Sequence, residues 1–277
     1  MDASRGSLER PVAESIRLVP GARDLAALHE RSMPQKDQLC GAFWGSLVLT
    51  AAGYPADQDE VALRAGTTLV RGDPAEWLPP GASPRTDYTL SIPLAADKAS
   101  SGTSAPGLAR SIEELSAHAL AVVPVAGRWT AATVVSLVEL VAAEAPECTM
   151  VANLRTGRLW GSRSSARLLL DYLLGLPTEA AAPDWDCGHY VTVVATLGGP
   201  GGTLICVRDT YPELGWGGHH LQPAEAVAAS LERGDGNEGG VLCVCEASAA
   251  AALTGCLEAA GFELRHWNNG SSDGDGG

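Results

Sequence analysis

A cysteine attacks as its thiolate, so the first residues to look for are those that lower a thiol pKa: an imidazole, a helix N-terminus, or both. Cys40 ends a polar stretch that begins Met33-Pro-Gln-Lys-Asp and opens a dense apolar run reaching Gly53. That pattern predicts a buried helix with the cysteine in its first turn, where the helix dipole favours negative charge. Gly41 would let another chain or a substrate come close. His189 follows Gly188 at the start of a Val- and Thr-rich run, and Asp209 ends the next such run, in Arg208-Asp-Thr-Tyr-Pro212. The glycine-rich stretch 198–202 between them reads as a hairpin turn, so neighbouring strands would bring Asp209 alongside His189. A carboxylate there orients an imidazole and stabilises its charged form. An oxyanion also needs donors: the Cys40 N–H is one, and a glutamine side chain upstream, Gln35 or Gln38, is a natural second.

These residues need a helix and a hairpin to hold them, and the rest of the pattern supplies both. Helices are expected at 22–31, from Cys40 onward, and at 111–119, 130–144, 164–174, 223–232 and 248–260; strands at 148–154, 189–196, 203–208, 240–245 and 262–267. Helices first and strands afterwards make an α+β chain. Residues 66–107 are rich in Pro, Gly, Ser and Thr and read as long loops with one strand at 88–92, a segment that either covers substrate or is disordered. Residues 1–20 read as an N-terminal extension and 21–239 as the main domain. Residues 240–267 form a strand–helix–strand extension, and 268–277 a disordered tail of Asn, Gly, Ser and Asp.

Composition narrows the function. The formal charge is −14, from 19 basic and 33 acidic residues, which disfavours a phosphate backbone or an anionic membrane as partner. Seven cysteines cannot pair completely, the first sixteen residues lack the apolar core of a signal peptide, and no uninterrupted apolar run reaches spanning length. Reduced thiols in a cytoplasmic protein are the simplest account. Nothing in the sequence calls for a cofactor: the 198–202 turn has no helix after it and no Gly-Lys-Ser/Thr end, so it is not a phosphate cradle.

The order Gln…Cys-Gly at a helix start, Gly-His-Tyr-Val-Thr-Val on a strand, then Arg-Asp-Thr-Tyr-Pro resembles the papain-like cysteine peptidase superfamily, nearest the double-glycine leader peptidases of bacteriocin export and their soluble relatives. The resemblance spans residues 33–54 and 185–212. It implies a helical half carrying the nucleophile helix, packed on a mostly antiparallel sheet half. It also implies Cys40 as nucleophile, His189 as general base and acid, Asp209 as orienting residue and Gln35 as oxyanion donor. Those families usually carry the glutamine six residues before the cysteine; here Gln35 stands five before and Gln38 two before. Gln35 is favoured because Gln38 is too close to fold back easily. The implied activity is that of a cysteine peptidase, amidase or acyl transferase on a peptide or small amide, by way of a thioester, with a place in peptide natural-product processing.

Plainer readings stand beside this one. A cysteine opening an apolar helix is most often core, a strand histidine is most often a satisfied hydrogen-bonding group, and an Asp before Thr-Tyr-Pro is a turn residue. A papain-like fold without catalysis, serving as a peptide-binding or scaffold module, fits the same sequence. Cys187, His189, Cys206, His219 and His220 offer metal-ligand types but lack the paired spacing of a zinc site, so no metal is assigned. Cys187 reads as a neighbour of the site, Trp44 as core behind the nucleophile helix, and His219-His220 as a loop. Asp184 and Asp186 read either as an acidic rim favouring amine-bearing substrates or as a solvated loop.

Overall fold

Strands whose apolar side chains point in turn to both faces set the architecture. In the computed structural model, which describes residues 16–19 and 21–272, seven strands form one sheet. They are β1 (Ile16–Leu18), β2 (Leu120–Val125), β3 (Thr149–Arg155), β4 (Gly188–Gly199), β5 (Gly202–Arg208), β6 (His219–Pro223) and β7 (Gly240–Glu246). Their order is β2-β7-β3-β4-β5-β6, with β1 also paired to β4, and each pairing is antiparallel. On β7, Val241, Cys243 and Cys245 join one hydrophobic core while Leu242 and Val244 join another. The two-residue period of a strand thus feeds a core on each face, which is why β7 and β3 are apolar almost throughout.

Helices cover both faces. Against the Val241 face lie α6 (Ala131–Glu144), α8 (Ala224–Glu232) and α9 (Ala247–Ala259), through Leu137, Val227 and Leu257. Against the Leu242 face lie α3 (Cys40–Ala51), α4 (Gln58–Ala65) and α5 (Ala105–Leu115), through Phe43, Val61 and Ile112. Three further helices, α1 (Gly21–Asp24), α2 (Ala26–Ser32) and α7 (Ala166–Leu173), complete the helical set of the described residues. The fold is α+β with a mostly antiparallel sheet, as expected, but the helices sandwich the sheet and do not gather into one half.

Several boundaries differ from the sequence reading, each for a physical reason. The residues 240–246 expected in an extension form β7, inserted between β2 and β3, one strand in from the edge of the sheet. Residues 262–267 make only one bridge, Glu263 to Ala126, and Trp267 is instead buried with its Nε1 donating to Asn153 Oδ1. No strand forms at 88–92, because the Thr89 and Leu90 N–H groups donate to the Asp59 carboxylate. α5 starts at Ala105, not at 111, since Ser104 caps it by accepting from the Gly107 N–H and Pro106 suits a first turn.

Three strands were not anticipated, β1, β2 and β6. β2 carries Pro124, which an edge strand tolerates. β6 carries His220 and Gln222 on its buried side, inverting the usual pattern, so the His219-His220 loop reading is wrong. At the termini, Ile16–Leu18 of the supposed extension pair with β4. Asn269 and Ser271 of the supposed disordered tail donate to the carbonyls of Thr103 and Ser101. The remaining residues of those two expectations, 1–15, 20 and 273–277, lie outside the described residues.

Because β7 is paired on both sides, truncating one of its fully buried side chains tests the architecture. Leu242→Ala should cost about 2–5 kcal/mol of unfolding free energy, read as a fall in the urea midpoint at unchanged slope; a loss within experimental error would mean β7 is peripheral.

Candidate active site

Three contacts fix where Cys40 sits. It is the first residue of α3 and is only partly exposed, while Phe43, Trp44, Leu47 and Leu49 behind it are buried. Trp44 Nε1 donates to the Tyr190 carbonyl at 3.0 Å, tying the helix to β4 one residue from His189. Gly41 has Thr103 Cβ and Tyr190 Cδ2 only 3.1 and 3.2 Å from where its own Cβ would stand, so the close approach expected of this glycine is real and a larger residue would push α3 off the strand.

His189 enters at the start of β4 and Asp209 directly follows β5, so the hairpin places both at the same end of the sheet. His189 Nε2 donates to Asp209 Oδ1 at 3.0 Å, with both side chains 2% exposed. That leaves Nδ1 for the Cys40 side, and Cys40 adds to the stabilisation of the imidazole proton. Burial disfavours the charged ring, but the Asp209 carboxylate, its hydrogen bond and Cys40 outweigh burial and push the His189 pKa up to about 10. Burial likewise disfavours the Asp209 carboxylate, yet the His189 charge and hydrogen bond, with His220, hold its pKa well below the ordinary range. Trp185 packs edge-on to His189 at 5.0 Å, and Tyr211 lies 6.2 Å from the same ring and 5.7 Å from Trp185, so the pair is shielded from water, which strengthens it.

Asp209 is held on every side. Its N–H donates to Gly218 O at 2.6 Å, and Oδ1 also accepts from the Thr210 N–H at 2.7 Å. Its carbonyl faces His29 Nε2 at 2.5 Å. Burial drives the His29 pKa down to about 4, against the opposing effect of that hydrogen bond, so the ring is neutral and must donate through Nε2. His29 is in turn stacked on Trp44, with ring centroids 5.4 Å apart, which links Asp209 to the nucleophile helix.

The two glutamines have different fates. Gln38 spends both ends of its amide on Val70, donating to the carbonyl at 3.0 Å and accepting from the N–H at 2.7 Å. Gln35 is buried; its N–H donates to Thr210 O and its Oε1 accepts from Thr210 Oγ1 at 2.7 Å. With Oε1 on Thr210, the Nε2 donors of Gln35 remain for the cleft that the residue lines.

That cleft has a volume of about 430 Å³. One wall comes from the 66–107 segment, including Trp77, Lys98 and Thr103; the other carries Arg155, Cys187, Arg233 and Asp235. Its charges are paired: Arg155 bridges Asp186 and Asp235, Arg233 meets Asp235, and Lys98 meets Glu76. Asp186 is therefore neutralised by Arg155, and Asp184 is occupied with the Ser162 N–H, so neither acts as a free acidic rim. Cys187 lines the same cleft two residues before His189, and burial pushes its thiol pKa up. Arg233, at φ +58° and ψ −61°, centres a γ-turn closed by the Gly234 N–H and Glu232 O; its guanidinium occupies the space left by Gly188.

The structure brings Cys40, His189, Asp209 and Gln35 to one place, and sequence reasoning missed the residues that support them. Thr210 was in view but read only as turn, although a hydroxyl beside a proposed triad Asp is a usable signal. His29 and His220 lie 180 and 11 residues from Asp209 and carry no local motif. Since Gln38 clamps Val70 and does not line up with Thr210, Gln38→Ala should lower stability by about 1 kcal/mol in urea titration without slowing Cys40 alkylation; slowed alkylation would place Gln38 in the site.

Among the described residues no helix is long and apolar enough to cross a membrane. Neither a curated protein nor a solved structure matches the chain significantly. One family model matches residues 19–268, which takes in every element above except β1, and the chain therefore belongs to that family, a family of unknown function designated DUF6885.

Proposed function

We propose that this chain is a cysteine-dependent enzyme of papain-like fold that cleaves or transfers acyl groups at amide bonds through a thioester. The observation that carries the reading is His189, buried between the Asp209 carboxylate and the Cys40 side chain at the wall of a polar cleft. An imidazole held charged in that position favours the thiolate beside it, and the α3 N-terminus adds to the effect.

In this mechanism the Cys40 thiolate attacks the acyl carbon while the Cys40 N–H and Gln35 Nε2 receive the developing oxyanion. His189 then gives its proton to the departing amine, leaving a thioester on Cys40. A water activated by neutral His189 hydrolyses that thioester and regenerates the pair; an amine or thiol in its place makes the enzyme a transferase or cyclase. With the Gln35 Oε1 accepting from Thr210 Oγ1, the Nε2 end is the one turned to the reacting carbonyl in this reading. The paired charges and asparagines of the cleft suit a polar peptide or small amide. Seven free cysteines agree with a reducing, cytoplasmic setting. A tailoring step in peptide natural-product processing rests on the resemblance to leader peptidases.

Iodoacetamide labelling with peptide mapping tests this directly. Cys40 should label faster than the other six cysteines near neutral pH. A group whose pKa is raised on folding keeps its stabilising charge below its unfolded value and loses it through its folded value. The advantage of Cys40 should therefore fade as pH climbs through about 10, where His189 loses its proton. His189→Ala should erase it. A Cys40 no faster than its peers would leave a binding module as the better description. With an amide substrate in hand, Gln35→Ala should lower kcat about 10²-fold yet leave labelling unchanged; an unchanged kcat would remove Gln35 from the oxyanion site.

A further inference from the structure

The Asp209 carboxylate has a second oxygen that the proposed mechanism does not use. Oδ2 faces His220 Nε2 at 3.7 Å, and His220 is buried on β6. A histidine in that position helps the site only if it offers a hydrogen to the carboxylate without bringing a second full charge, which would compete with His189 for Asp209. Which nitrogen of His220 carries the proton is therefore decisive.

Gln222, two residues along the same strand and fully buried, answers that. Its Oε1 accepts from the Trp160 N–H at 2.7 Å and its Nε2 donates to the Trp160 carbonyl at 2.8 Å. Turning the amide over would set donor against donor and acceptor against acceptor, so its orientation is fixed by the backbone of residue 160. The same Nε2 lies 3.0 Å from His220 Nδ1. Because that nitrogen of Gln222 can only donate, Nδ1 of His220 must accept, and the one proton of the neutral ring sits on Nε2, towards Asp209.

We propose that Gln222 locks His220 in its Nε2–H tautomer, and that His220 is thereby a positioning residue that holds Asp209 for His189. The contact is longer than a full hydrogen bond and acts as an oriented dipole: it favours the ionised carboxylate and resists its rotation away from the His189 ring. This inference deepens the thiol-enzyme reading and rests on it for its catalytic meaning, while the tautomer stands on the geometry of Trp160, Gln222 and His220 alone.

The test uses the full chain labelled with nitrogen-15 in its histidines, the His220 signals being assigned by their loss in His220→Leu. At neutral pH the wild type should show His220 protonated at Nε2 and bare at Nδ1. In Gln222→Glu, which replaces the donor with an acceptor in the same volume, the His220 proton should appear on Nδ1. Cys40 alkylation below neutral pH should then slow about tenfold, equivalent to about one pKa unit in the thiolate–imidazolium pair. His220→Leu should slow it similarly, and His220→Gln, which keeps an N–H, should restore much of the rate. A wild-type His220 protonated at Nδ1 or at both nitrogens would falsify the lock. A folded His220→Leu that alkylates at the wild-type rate overturns the positioning role. If wild-type Cys40 is itself no faster than its peers, the enzyme reading and the positioning role fall together; the tautomer lock is still decided by the nitrogen signals.

Discussion

A carboxylate that is 2% exposed stays charged only if its surroundings replace the water it has lost, and in this molecule the surroundings of Asp209 are most of the candidate site. His189 and the Thr210 N–H meet one oxygen, His220 faces the other, and His29 and Gly218 take the backbone groups. These five partners come from four parts of the fold: β4, the connection between β5 and β6, β6 itself, and α2. Satisfying one buried charge therefore draws together segments that span from residue 29 to residue 220. The thiol benefits at second hand, because the imidazole that Asp209 holds charged is the one Cys40 meets.

The sheet supplies rigidity for that arrangement. β4 and β5 form a hairpin whose open end carries His189 and Asp209, and the two cores packed on either face keep that end from splaying. α3 is anchored by Trp44 to the backbone of Tyr190 and, through the stacked His29 ring, to the backbone of Asp209. One tryptophan thus sets α3 against the backbone beside both His189 and Asp209. The arrangement explains why a residue read only as core filling carries an orienting hydrogen bond.

What the sequence made readable was local chemistry with strong patterning. Cys40 at a polar-to-apolar boundary, His189 after a glycine, and Asp209 at the end of a hairpin strand could all be found because each sits at the edge of a regular element. The support around them could not. His29 is a helix residue with no distinguishing neighbours, and β6 turns His220 and Gln222 inward where periodicity expects apolar side chains. β2 hid behind Pro124, which its edge position excuses. The interior place of β7 is a fact of topology: its composition marks it as buried, but nothing local says which two strands it will separate.

That placement has a consequence for how the chain comes to life. β2 and β3 are neighbours in sequence order but are never hydrogen-bonded to each other; β7, which follows both by more than eighty residues, fills the gap between them. A chain emerging from the ribosome N-terminus first carries Cys40, then His189, then Asp209, all before the strand that closes the sheet beneath them. The long-range pairing comes last and is the slow kind. A half-made chain therefore carries Cys40, His189 and Asp209 before the sheet that brings them together is complete.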